Sequence, residues 1–82
     1  MEPDVVKKLI ETGIPESQVE VVDTTGTKDH FSAIVISDSF EGLSLVEQHQ
    51  TVYKAVGDHL TKEIHALQLN TYSSTQWAQH NS

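Results

Sequence analysis

Residues 64–77, IHALQLNTYSSTQW, read as one β-strand running into the start of a helix, and the fold of the chain turns on that reading. Strand alternation puts His65, Leu67, Leu69 and Thr71 on one face and Ala66, Gln68, Asn70 and Tyr72 on the other. The run is rich in Leu, Thr and Tyr and has no Pro or Gly, which favours strand over helix. Ser73 offers a helix cap, with Gln76 at capping-box spacing and Trp77 in the first turn. His65 is thereby set at a strand entrance, a rigid place from which to present a ring nitrogen. From spacing alone an ordinary histidine near a sheet edge outweighs a binding site, because one His is weak evidence for one.

Upstream, a long helical pattern precedes this strand. Ser44 can cap it, with Glu47 three residues on. Leu45, Val46, His49, Val52, Tyr53, Val56, Leu60 and Ile64 then keep a helical period. Gly57 interrupts it, which predicts two helices broken between Tyr53 and Asp58. Before them, His30 to Ser37, HFSAIVIS, reads as a strand with Phe31, Ala33 and Val35 on one face and Ile34 and Ile36 on the other. Val19 to Asp23, VEVVD, is a second strand, joined to it as an antiparallel hairpin through the polar loop Thr24 to Asp29. The chain opens with a helix whose apolar stripe is Val5, Val6, Leu9 and Ile10, with Pro3 in the first turn and Gly13 as a stop.

The order is α-β-β-α-α-β with a last short helix and a frayed tail from His80. A strand, two helices and another strand form a crossover, which makes strands two and three parallel and the connection right-handed if those strands are neighbours. The expectation is one α+β domain over residues 1–82, a three-stranded mixed sheet with helices packed on one face.

Composition narrows the chemistry. The 82 residues contain no cysteine, so neither a disulfide nor a thiolate-held zinc or iron–sulfur centre can come from this chain alone. The net charge is −7, with five lysines and no arginine. Arginine is the usual bidentate ligand for phosphate and guanine, and an acidic surface is repelled by a nucleic acid backbone, so the composition weighs against nucleic acid as a partner. No membrane-length apolar run and no signal-peptide pattern are present, so a cytoplasmic location is expected. Catalytic patterns are missing too: there is no cysteine nucleophile, glycine-rich phosphate loop or HExxH, and the expectation is a protein that is not an enzyme.

The element order resembles a KH domain of the second topological type. A KH domain clamps nucleic acid with a GxxG loop between the two middle helices, but YKAVGDHL here has no GxxG. The residues themselves resemble the BolA family over nearly the whole chain. The resemblance is carried by His30-Phe31 closing a loop, the Phe40-x-Gly42-x-Ser44 turn, Val52-Tyr53, the His65-Ala66-Leu67 entrance, and Thr71-Tyr72 followed by Trp77. Gln50-Thr51-Val52-Tyr53 is most similar to the branch typified by bacterial IbaG. That family is known for the KH-like fold without a GxxG loop.

The resemblance implies a role that depends on a partner. BolA-like proteins pair with monothiol glutaredoxins, and the two bridge a [2Fe-2S] cluster. Thiolates come from the glutaredoxin and glutathione, and an imidazole from the BolA side. The family's ligand histidine falls on His65. A second ligand is expected in the loop between the first two strands. One branch has a cysteine there, and in this cysteine-free chain His30 is the candidate. A homodimer is a further arrangement left open. A chain without cysteine must borrow thiolates, which fits the need for a partner. Imidazole in place of thiolate raises the cluster's potential, and a protonated ring cannot bind metal, so such a cluster suits transfer or sensing. His49, on the apolar stripe, reads as a core or boundary residue, His59 and His80 as solvated, and Tyr53 and Trp77 as core. The family also has members linked to transcription. Many relatives carry Arg-His-Arg on the second helix where this chain has EQHQT, which weighs against DNA binding here.

Overall fold

The computed structural model describes residues 2–28, 30–57, 59, 64 and 66–80. The observed elements are α1 (Pro3–Gly13), β1 (Ser17–Asp23), β2 (His30–Ser37), a single 3-10 turn (Asp38–Phe40), α2 (Leu45–Val56), β3 (Ala66–Tyr72) and a C-terminal helix (Ser74–His80). His59 is helical and its carbonyl accepts a hydrogen bond from the Ile64 N–H at 2.8 Å. The order is therefore α-β-β-α-α-β, the KH-like arrangement, and α2 stops at Val56 with Gly57 (φ +58) as its C-cap, inside the expected break.

The sheet runs β1-β2-β3, with β1 antiparallel to β2 and β2 parallel to β3. Its core face is the one the alternation predicts. Phe31, Ala33 and Val35 are buried, flanked by Val19 and Val21 on one side and by Leu67, Leu69 and Thr71 on the other. Val6 and Ile10 of α1 and Val52 and Val56 of α2 close over that face, with Ile14, Phe40 and Ile64 completing the core. Strand β1 starts at Ser17, two residues before the apolar run, because antiparallel pairing with Ser37 extends the ladder past it.

Both predicted capping boxes form. The Glu47 N–H donates to Ser44 Oγ (3.2 Å) and the Ser44 N–H to Glu47 Oε1 (3.0 Å). The Gln76 N–H donates to Ser73 Oγ (3.1 Å) and the Ser73 N–H to Gln76 Oε1 (2.9 Å). The hydrogen bond from the Ser44 N–H holds the Glu47 carboxyl below the usual glutamate range. Glu41 is lowered by hydrogen bonds from Thr75, whose N–H donates to Glu41 Oε1 at 3.1 Å, and Ser74 Oγ–H donates to Asp38. Two acidic side chains from the segment after β2 thus fasten the start of the C-terminal helix, where the helix dipole also favours them.

Several sequence expectations are corrected. The inward stripe of α2 is Gln48, Val52 and Val56, whereas Leu45 (61%), Val46 (65%) and Tyr53 (39%) are exposed. Gln48 is buried because its Nε2 donates to the Leu43 carbonyl (3.1 Å) and to Gln76 Oε1 (3.2 Å), tying α2 to the C-terminal helix. In α1, Val6 and Ile10 face the core while Val5 is 45% exposed. The C-terminal helix runs through His80, whose ring lies 5.7 Å from Trp77 and 5.1 Å from Tyr72, and the expected frayed tail beyond it lies outside the described residues. Trp77 is half-buried against Tyr72, at 5.2 Å, and does not enter the core.

Gly13 is the last residue of α1, and its role is packing. A Cβ placed on it would lie 2.6 Å from Ala55 Cβ and 3.0 Å from Ala55 Cα, so the absence of a side chain lets α1 and α2 meet. Gly13→Val is expected to destabilise the domain by about 1–3 kcal/mol through overpacking, exceeding any gain in helix propensity. Urea unfolding of the variant checks this, and a midpoint equal to the parent's would refute the close approach.

Candidate metal-ligand end of the sheet

His30 is the first residue of β2 and its backbone is firmly held. Its carbonyl accepts from the Thr24 N–H at 3.0 Å and from Thr24 Oγ1 at 3.1 Å. The loop before it is organised by Asp23. One carboxylate oxygen accepts from the N–H groups of Thr25 (3.3 Å) and Gly26 (2.9 Å), and the other from that of Lys28 (3.0 Å). This is the self-bonding for which Asp is favoured in turns, and it lets Gly26 (φ +78) and Lys28 (φ +62) adopt left-handed conformations. Lys28 Nζ reaches Glu2 at 2.6 Å, fastening the loop to the start of α1. That contact raises the lysine above its ordinary range.

Phe31, 1% exposed, anchors the strand directly after His30. Alternation along β2 then turns His30 to the face opposite the core, with Ser32, Ile34 and Ile36, and leaves it half-buried. In the parallel register His30 is the Cα partner of Ala66, the residue next in sequence to His65. His65 itself lies outside the described residues. So do most of the residues expected to form the second middle helix; His59, which is described, is helical and half-buried rather than solvated. His49 is half-buried as expected for a boundary residue, with Nε2 enclosed and no hydrogen-bond partner among the described residues.

Among the described residues no three His, Asp or Glu side chains gather into a group able to hold a metal ion. With no cysteine in the chain, the available donors are imidazoles and carboxylates. That set fits one side of a shared iron–sulfur cluster and does not fit a resident one, which needs thiolates. Also among the described residues, no helix is long and apolar enough to cross a membrane.

Sequence reasoning missed Gln48 and the Asp38–Ser74 and Glu41–Thr75 contacts. Gln48 could have been found from its i, i+4, i+8 line with Val52 and Val56, which continues the buried stripe through a polar residue.

Comparison with known proteins agrees with this architecture. A family model described as BolA, BolA-like protein, matches residues 11–76. The DNA-binding transcriptional regulator BolA of Vibrio cholerae is 31% identical over 85 residues, covering 95% of this chain and 80% of that protein. A solved bolA homologue from Coxiella burnetii superposes with a TM-score of 0.82 at 37% identity, covering 95% of this chain and 97% of that one. Yeast Fra2 superposes with a TM-score of 0.77 at 31% identity, covering 96% and 86%.

Proposed function

The chain belongs to the BolA-like family, and on that premise we propose that it is an adaptor in iron–sulfur cluster handling that forms a heterodimer with a monothiol glutaredoxin. In this reading the pair shares a [2Fe-2S] cluster, with thiolates from the glutaredoxin and glutathione and imidazole from His65, and with His30 as the second ligand. The chain catalyses no turnover of its own.

One observation carries the reading: the parallel register sets His30 opposite Ala66, adjacent in sequence to His65. The two ligand candidates are 35 positions apart in the sequence, and the register supports the reading by pairing His30 with the residue that follows His65. Each element there has a definite task. Thr24 fixes the His30 backbone, Asp23 shapes the loop before it, and Phe31 anchors the strand after it. A cluster bound there supplies iron and redox chemistry, while the histidines supply ligands that leave more readily than thiolates.

Relatives named as DNA-binding transcriptional regulators make duplex DNA the second reading. The exposed side of α2 argues against it, since beside Leu45, Val46, Glu47, Gln50 and Tyr53 it presents a single cation, Lys54, where phosphate contact needs several. One experiment separates the two. Anaerobic co-purification with a monothiol glutaredoxin is expected to yield a coloured complex with two irons per heterodimer. In parallel, duplex DNA is expected to bind no tighter than about micromolar at physiological salt. A colourless, iron-free complex would overturn the adaptor reading, and sub-micromolar retention of a defined DNA sequence would establish the second.

A further inference from the structure

The apolar residues of α1 exceed what the core uses. Val6 and Ile10 are buried, yet Val5 is 45% exposed and Leu9 only half-buried. Val5, Leu9 and Thr12 follow one another at helical spacing and turn toward α2. There, with Gly13, Thr51 and Ala55, they line an open groove with a volume of about 610 Å³. The close approach of Gly13 to Ala55 brings the two helices together beneath it.

The charge of this groove is opposite to that of the chain. The protein carries −7 overall, but among the described residues the charged ones lining the groove are Lys8 and Lys54, one on each helical wall, with no acidic residue beside them. Neither lysine is in an ion pair among the described residues. Two of five lysines thus stand over an apolar trough in an acidic protein.

We propose that this groove docks an acidic amphipathic helix of a partner protein. A trough between two helices accepts a third by its apolar face, read by anchors at i, i+3 or i+4, and i+7. From Val5 to Thr12 the wall rises about 10 Å, enough for two turns of such a helix. Acidic residues on both flanks of the incoming helix would meet Lys8 on one side and Lys54 on the other. A single-headed anionic amphiphile has one charge and leaves one lysine unmet. No residue of β1–β2 or β3 lines the groove, so the site is separate from the His30 end of the sheet and does not depend on the cluster reading.

The test uses the full chain and a synthetic helical peptide of about 14 residues with leucines on one face and glutamates on both flanks. Backbone amide shifts are expected at Val5, Leu9, Thr12, Thr51 and Ala55. Calorimetric affinity is expected to fall at least about tenfold in K8E/K54E, to fall similarly when the peptide's glutamates are replaced by lysines, and to weaken with added salt. If K8E/K54E loses its far-ultraviolet spectrum, K8Q/K54Q takes its place with a smaller loss expected. Shifts centred elsewhere, equal affinity for the two peptides, or binding of laurate at these residues without binding of the acidic peptide would each overturn the proposal.

Discussion

Phe31→Ala is expected to bring the domain to the edge of unfolding. Phe31 is 1% exposed and sits on the central strand, with Asp23 and Leu67 as its Cα partners on the two sides. It is the bulkiest of the wholly buried side chains on the core face of the sheet. Truncating a buried Phe to Ala costs about 3–5 kcal/mol, because the lost transfer energy is joined by the cavity left behind. A domain of 82 residues has a total stability of about 4–12 kcal/mol at typical values per residue. The substitution therefore removes a large share of it. Urea unfolding followed by far-ultraviolet circular dichroism should show a much lower midpoint with an unchanged slope. Leu45→Ala is the matched control. Its side chain is 61% exposed, and the expected change is within about 0.5 kcal/mol. A loss below about 1 kcal/mol for Phe31→Ala would mean that the core does not centre on β2 as described.

The contrast between Phe31 and Leu45 also marks what the sequence made legible. Strand β2 was readable because HFSAIVIS alternates with few exceptions and a pleated strand has only two faces to choose between. The caps at Ser44 and Ser73 were readable because a capping box is local and needs only the right residues three positions apart. Helix α2 was harder. Leu45, Val46 and Tyr53 form one apolar line and Val52 and Val56 another, and hydrophobic periodicity does not say which line meets the sheet. The deciding residue, Gln48, is polar, and its burial depends on Leu43 and Gln76, partners that only the folded chain supplies. Gly13 reads as a helix stop and does end α1, but its close approach to Ala55, 42 positions away, has no local signal. For the candidate ligands, the strand positions of His30 and Ala66 followed from local pattern. Their pairing required the crossover to be parallel and in this register, which no local pattern specifies.

His65→Ala is expected to abolish most of the shared cluster while leaving the two proteins able to associate. The argument starts from the donor set. The chain has no thiolate to offer, so on the proposed reading its grip on the iron consists of imidazole alone. Removing one imidazole leaves His30 as the single candidate, and Thr24 holds the His30 backbone too firmly for the strand start to slide and compensate. Changes one shell outside a metal already cost about 10–100-fold in affinity, and loss of a direct ligand should cost at least as much. His30→Ala should cost less if His30 orients the cluster, and about as much if it is a full ligand. The measurement is iron content and visible circular dichroism of the complex co-purified with the glutaredoxin, beside far-ultraviolet spectra of the free variants. Lost cluster signal with a retained far-ultraviolet spectrum and retained co-purification is the expected result for His65→Ala. An unchanged visible spectrum in the folded variant would remove His65 from the ligand set. An unfolded variant would show that His65 serves the sheet itself, and His65→Asn, which keeps a polar side chain but not an imidazole, would then test ligation in a folded protein.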